Sequence, residues 1–212
     1  MPVPAQPYTF DQLVARARAL AGAGPRRMLG ITGAPGAGKS TLAGRLVDAL
    51  GPTAALVPMD GFHLAEVELH RLGRHARKGA VDTFDGAGFV ALMHRLRTVV
   101  DTTVYAPEFR RDLEESIAGA IAVPPQVRLV VTEGNYLLVP TLPWGELRGL
   151  LDEVWFLDLD APERLRRLTE RHVGFGRAAA EAAARARGTD QVNADLIETT
   201  AIRSDVVVRL SE

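Results

Sequence analysis

Residues 33–40 read Gly33-Ala34-Pro35-Gly36-Ala37-Gly38-Lys39-Ser40 and match the pattern G-x-x-x-x-G-K-[ST]. What flanks them suits that pattern. Met28 to Thr32 is a short apolar run that predicts a buried strand, and Lys39 to Leu50 predicts a helix closed by Gly51-Pro52. A loop without bulky side chains lets successive backbone N–H groups face inward as an anion-binding nest, and the following helix adds the positive end of its dipole. A nucleotide tail presents the anionic oxygens that such a cradle fits. On this reading Gly33 to Gly38 wrap the phosphates, Lys39 reaches the β- and γ-phosphates, and Ser40 ligates Mg²⁺, with Thr41 beside it. The plain alternative is a Gly-rich turn that only joins strand to helix.

Outward from the loop, strand and helix patterns alternate. Residues 9–21 predict an amphipathic helix with Thr9 as cap. Ala54 to Met59 predicts a second strand, ending at Asp60-Gly61. Residues 61–84 lack a clear period and read as loop and broken helix. Gly88 to Val100 predicts a helix, Val104 to Ala106 a short strand before Pro107, and Val127–Thr132 and Val154–Leu159 two more strands. Helical stretches follow from Pro162 to about His172, over 178–187 and over 191–202, and Val206 to Leu210 closes the chain as a strand. This order predicts an α/β fold of the P-loop NTPase kind: three layers, α/β/α, around a mostly parallel sheet. One domain over 1–212 is expected, with a lid over about 162–190.

Composition narrows the function. No cysteine is present, which excludes a disulfide scaffold, a Cys-ligated zinc site and a cysteine nucleophile. That composition fits a cytoplasmic protein. No apolar run reaches the ~18 residues of a membrane span, and a net charge of -1 gives no global pull toward nucleic acid or an anionic membrane. Of the 25 basic residues only Lys39 and Lys78 are lysine. A bias of this kind can reflect genome composition alone, yet it makes these two candidates for positions where a compact ammonium cannot be replaced by a planar guanidinium.

Two acids stand where open α/β sheets keep their sites. Asp60 ends Leu56-Val57-Pro58-Met59-Asp60, and Glu133 ends Leu129-Val130-Val131-Thr132-Glu133. Each precedes a glycine (Gly61, Gly134), expected to leave room for a ligand close to backbone. One acid can hold magnesium; the other can take a proton from an attacking hydroxyl.

Asp60-Gly61-Phe62-His63, Arg77-Lys78-Gly79, Thr83-Phe84-Asp85, Tyr105-Ala106-Pro107 and Glu133-Gly134-Asn135-Tyr136 follow the loop in that order. From about residue 27 onward the chain resembles the uridine kinase, pantothenate kinase and phosphoribulokinase superfamily. Within it, the resemblance points to the small bacterial branch labelled nucleoside/nucleotide kinase or fructose-transport-associated kinase. The resemblance implies transfer of the γ-phosphoryl group of ATP to a hydroxyl of a small molecule. It implies Asp60 as base and Phe62, His63, Tyr105, Asn135 and Tyr136 around the acceptor. Lys78 would lie near phosphates and acceptor, and Glu133 near magnesium and acceptor. The branch tends to read Tyr-x-Pro-x-Phe-Asp-Arg, whereas here Phe109 is followed by Arg110-Arg111-Asp112. Arg110 therefore implies a different, more anionic acceptor, compensation by Asp112, or a displaced loop.

Arg164, Arg167 and Arg171 share one face of the helix that opens at Pro162, while Arg166 points elsewhere. Such a face suits a closing lid that neutralises a transferring phosphoryl group, with Arg167 and Arg171 on the nucleotide and Arg171 in catalysis. Arg177 belongs to the same cluster, and residues 172–176 supply a hinge. A solvated helix is the alternative.

The expected activity is thus an ATP- and Mg²⁺-dependent kinase of a sugar, nucleoside or pantothenate-like acceptor. Its rival is a regulatory NTPase or GTPase-like switch, but the guanine box Asn-Lys-x-Asp is absent. A transport or remodelling ATPase would need a Ser-Gly-Gly segment or a second Walker-B acid, and neither occurs. No interleaved basic and aromatic stretch favours a nucleic-acid substrate. The apolar face of helix 9–21 is open to two uses, covering the sheet or forming a homodimer.

Overall fold

The computed structural model describes residues 4–22, 24–174, 176 and 178–211. Six strands form one all-parallel sheet: β1 (Gln6–Tyr8), β2 (Arg27–Thr32), β3 (Ala54–Leu56), β6 (Leu129–Glu133), β7 (Glu153–Leu157) and β8 (Val206–Leu210). Their spatial order is β1-β8-β7-β2-β6-β3. The central strand β2 therefore lies between β6 and β7, with Leu29 opposite both Val131 and Glu153. Right-handed crossovers of parallel strands put helices on both faces, and both faces are apolar.

The strand period of two sorts the core into two clusters. Leu29, Ile31, Val131, Trp155 and Leu157 point to one side, where α1 (Phe10–Ala21) and α2 (Lys39–Leu50) cover them. Met28, Val130, Val154 and Phe156 point to the other, against Phe89, Met93 and Leu96 of α4 (Gly86–Thr98) and Leu147 of α5 (Leu147–Leu150). The three-layer α/β/α reading holds. Thr9 caps α1 in a reciprocal box with Gln12. Leu13, Val14 and Ala17 of α1 are buried in the core, so this face covers the sheet. Among the described residues no helix is long and apolar enough to cross a membrane.

Three local readings are corrected. The strand expected over Ala54–Met59 stops at Leu56. Val57 still donates to the Val131 carbonyl at 2.8 Å, but Pro58 has no N–H to continue the ladder, and Met59–Phe62 turns as a 3₁₀ helix. The strand expected to end before Pro107 runs on as β4 (Val104–Arg110), with its register shifted between Ala106 and Glu108, where a proline is tolerated. Its partner β5 (Glu115–Val123) was not anticipated. Together they make an antiparallel hairpin outside the main sheet.

The hairpin lies directly on the turn that carries Asp60. A Cβ at Gly61 would stand 2.4 Å from the Pro107 carbonyl oxygen, and one at Gly134 would stand 2.5 Å from Met59 Cβ. These glycines make room for neighbouring protein rather than for a ligand. Arg26, buried at the start of β2, donates to the carbonyls of Leu96, Val99, Pro124 and Val127 at 3.0–3.1 Å. It satisfies the carbonyl end of α4, where a cation is favoured, and ties that helix to the sheet.

Candidate active site

The loop between β2 and α2 turns with Gly36 at φ +86° and Gly38 at φ +94°, values open to glycine at little cost. Lys39 is buried, and its Nζ donates to the carbonyls of Gly33 at 2.8 Å and Ala34 at 3.1 Å. The ammonium thus lies inside the curve of its own loop. Burial pushes its pKa down to about 8, against the opposing pull of Glu133 and Asp60.

Beside it, the Ser40 hydroxyl donates to Glu133 Oε1 at 2.9 Å. Burial and the charge of Asp60 push the Glu133 carboxyl up to about 7. A buried carboxylate held near neutrality, with a hydroxyl on it and a second carboxylate nearby, is a hard oxygen donor set. That chemistry fits a magnesium ion. A Mg²⁺ ion would stabilise the ionised form of Glu133 and replace the Ser40 contact.

These two values set the pH response. If Mg·ATP binds here as the loop pattern leads one to expect, it would need Glu133 ionised, so activity would rise with pH through about 7, and Lys39 protonated, so activity would fall above about 8. We expect a narrow bell in kcat/KM for ATP with its maximum between those limbs. Added Mg²⁺ should move the acid limb downward, and Glu133→Gln should abolish it, which separates it from the ionisation of ATP itself. A flat profile across both limbs would count against these roles.

A cavity of about 930 Å³ joins the loop to the ends of the strands. Its inner wall holds Pro35, Gly36, Lys39, Ser40, Asp60 and Glu133; its outer wall holds Glu66, His75, Lys78, Phe109, Arg111 and Glu114; and Arg171 and His172 border it from α6 (Ala161–Gly174). His63 Nδ1 pairs with the Asp60 carbonyl at 2.9 Å, and its ring stands 4.0 Å from that of Phe84 and 4.7 Å from that of Phe109. Burial lowers its pKa, which favours a neutral ring. Lys78 Nζ pairs with Glu66, donates to the Glu114 carbonyl at 2.6 Å, and sits 5.0 Å from the centre of the Phe109 ring. Arg111, at the hairpin tip, reaches Asp60 Oδ2 at 3.5 Å.

Of the residues expected from the sequence, Lys39, Ser40, Asp60, His63, Lys78, Glu133, Asn135 and Arg171 meet in this cavity. Others stand elsewhere for physical reasons. Phe62 turns into the core and packs edge-on against Phe89, ring centres 5.3 Å apart. Tyr105 falls on the outward side of the β4 pleat and is 56% exposed. Tyr136 is fully buried behind the wall, where its hydroxyl donates to the Gly79 carbonyl at 2.6 Å. Arg110 points outward and pairs with Asp112 at 2.9 Å, leaving the next residue, Arg111, to face the site.

The lid helix is also only partly as expected. Arg171 borders the cavity, but Arg167 donates to Glu163 at 2.7 Å, and its guanidinium lies close to Gly38. Arg164 is 1% exposed and donates to Gln191 Oε1 at 2.6 Å. The cause is contact between helix and loop: a Cβ at Gly36 would stand 2.8 Å from Leu168 Cγ and 3.0 Å from the Arg164 carbonyl oxygen. Arg177 lies outside the described residues. Sequence reasoning passed over Glu66, Arg111, Glu114 and Arg185. Only Arg111 carried a signal, its place directly after the departure at Arg110.

No family model matches the chain. A uridine kinase-like protein of Schizosaccharomyces pombe is 32% identical over 212 residues, spanning 95% of this chain and 90% of that protein. An ATP-dependent kinase-like protein of Aspergillus versicolor is 38% identical over 146 residues, spanning 65% of this chain and 85% of that one. The crystal structure of a fructose transport system kinase from Silicibacter sp. TM1040 superimposes with a TM-score of 0.85 at 37% identity, covering 94% of this chain and 98% of that one.

Proposed function

Because the chain belongs to the P-loop kinase family of its uridine kinase-like relative, ATP-dependent phosphotransferases with a hydroxyl acceptor, we propose that the cavity phosphorylates a sugar, nucleoside or pantothenate-like small molecule. One observation carries this reading: a single cavity runs from the phosphate loop past Asp60 to a wall of paired charges and aromatic faces. A switch that only hydrolyses nucleotide has no use for that outer half. Glu66, Lys78, Glu114 and Phe109 offer alternating acceptors, donors and an apolar surface, which suit a polyhydroxylated molecule.

The chemistry follows from position and charge. The acceptor hydroxyl lies against Asp60, whose carboxylate takes the proton as the hydroxyl oxygen bonds to the γ-phosphorus. The bond from that phosphorus to the β,γ-bridging oxygen breaks, and its electron pair leaves on ADP. Lys39 and Arg171 neutralise the charge that spreads over the transferring group and the leaving oxygen. Mg²⁺, held through Ser40 and Glu133, supplies further neutralisation of the phosphate oxygens when bound.

The names of relatives set the first substrates to try: one is named for uridine and one for fructose transport. ADP release with Mg·ATP is to be measured against uridine, cytidine, fructose, ribose, ribulose 5-phosphate and pantothenate. Stimulation by one acceptor, with a phosphorylated product, is the expected result. Nucleotide hydrolysis that ignores every acceptor and prefers GTP would favour the switch.

A further inference from the structure

We propose that Arg185 and Asn193 are positioning residues that couple phosphates at the loop to the placement of Lys78 at the other end of the cavity. This inference rests on the kinase reading above. It starts from the peptide carbonyls of Lys78 and Gly79, which are held by side chains from three separate elements.

The Lys78 side chain faces Glu66 and Glu114, but its backbone faces the other way. Its carbonyl accepts from Arg185 Nη2 of α7 (Ala179–Arg187) at 3.3 Å. The next carbonyl, of Gly79, accepts from Tyr136 at 2.6 Å and from Asn193 Nδ2 of α8 (Thr189–Glu198) at 3.3 Å. Gly79 sits at φ +98°, and its own N–H donates to Thr83 Oγ1 at 3.0 Å. Tyr136 belongs to the segment after β6 and pins Gly79 to the rigid core. Arg185 and Asn193 come from the lid side and hold the same peptides with longer bonds.

From α8 the contacts continue back to the phosphate loop. His172 Nε2 of α6 meets Asp190 Oδ2 at 2.7 Å, and Arg164 of α6 donates to Gln191 at 2.6 Å. Both pairs are largely out of solvent, so neither side can let go without leaving a desolvated polar group unsatisfied. Helix α6 in turn bears on Gly36 through Leu168 and Arg164. Phosphates that draw Arg171 inward must shift α6, and α8 and α7 move with it. The peptides of Lys78 and Gly79 then feel that shift through Arg185 and Asn193, about the fixed bond from Tyr136. Nucleotide thereby orders the acceptor end, and by reciprocity the acceptor strengthens nucleotide binding.

Hydrogen exchange with and without saturating Mg²⁺ and the non-hydrolysable analogue AMP-PNP tests this without knowledge of the acceptor. In the wild type, protection over residues 33–41 shows the loop filled. Residues 74–83 should then slow by about fivefold or more, the lower end of ordinary coupling. Arg185→Ala and Asn193→Ala should keep the first effect and lose the second, which a merely structural role would not produce. Should Asn193→Ala fail to fold, Arg185→Ala, which removes a half-buried side chain, decides alone. Residues 74–83 unchanged in the wild type while 33–41 are protected, or slowed equally in the variants, would overturn the coupling and leave the kinase reading intact. No protection at 33–41 would overturn both.

Discussion

Asp60→Asn is expected to lower kcat for the stimulating acceptor by about a thousandfold while KM for ATP changes little. Asparagine keeps the shape of the side chain, so the turn over Met59–Phe62 and its contact with Pro107 survive. What it loses is a proton acceptor, and general-base catalysis contributes about 10²–10⁴ in rate. The substitution has a second, independent readout. The charge of Asp60 helps to push the Glu133 carboxyl up to about 7, so its removal lets that pKa fall and moves the acid limb of the pH profile downward. Steady-state kinetics across pH measure both. A loss below about tenfold, with the acid limb unmoved, would remove Asp60 from the role of base.

The second large effect belongs to Lys39. Lys39→Met keeps the length of the side chain and removes the ammonium that the Gly33 and Ala34 carbonyls now receive. Transition-state charge stabilisation by one preorganised donor contributes about 10²–10³, and in the proposed mechanism the same group would also bind the ground-state phosphates. We expect kcat/KM for ATP to fall by about 10³ or more and the alkaline limb of the pH profile to disappear. Stability should move the other way or stay level. Desolvation already pushes Lys39 down to about 8, so folding bears a cost for this cation that methionine does not incur. Thermal unfolding beside kinetics separates the two, and a variant both inactive and strongly destabilised would point to a structural role instead.

Much of the fold was legible because its signals are local. The loop pattern, the apolar strands on either side of it and the capped helices each depend on neighbours within a few residues. The edge strand β1 and the hairpin strand β5 were not, and the reason is physical. β1 has three residues, and the isoleucines of β5 are separated by Ala118, Gly119 and Ala120, types with little strand preference of their own. Their pairing is fixed by β8 and β4, which no local pattern reports.

The site divides the same way. Lys39, Ser40, Asp60 and Glu133 were legible because each belongs to a local pattern: the first two open the helix after the phosphate loop, Glu133 ends β6, and Asp60 lies in the short turn just beyond β3. Tyr105 and Tyr136 were expected at the acceptor by resemblance, but the pleat of β4 turns one outward and the core encloses the other. Arg111 and Glu114 enter the cavity only because a hairpin folds back over it, a long-range event. The interior position of Arg164 likewise depends on how closely α6 approaches the loop.

That approach has a consequence for how such chains can vary. In the eight-residue pattern only the first and last three positions are specified, and position 36 is nominally unrestricted. Here it is the ground on which another helix stands, so a methyl group there would pry the two apart. Loop and lid are therefore one heritable unit: exchanging either with a distant relative succeeds only if the donor also brings a residue without a side chain at the point of contact.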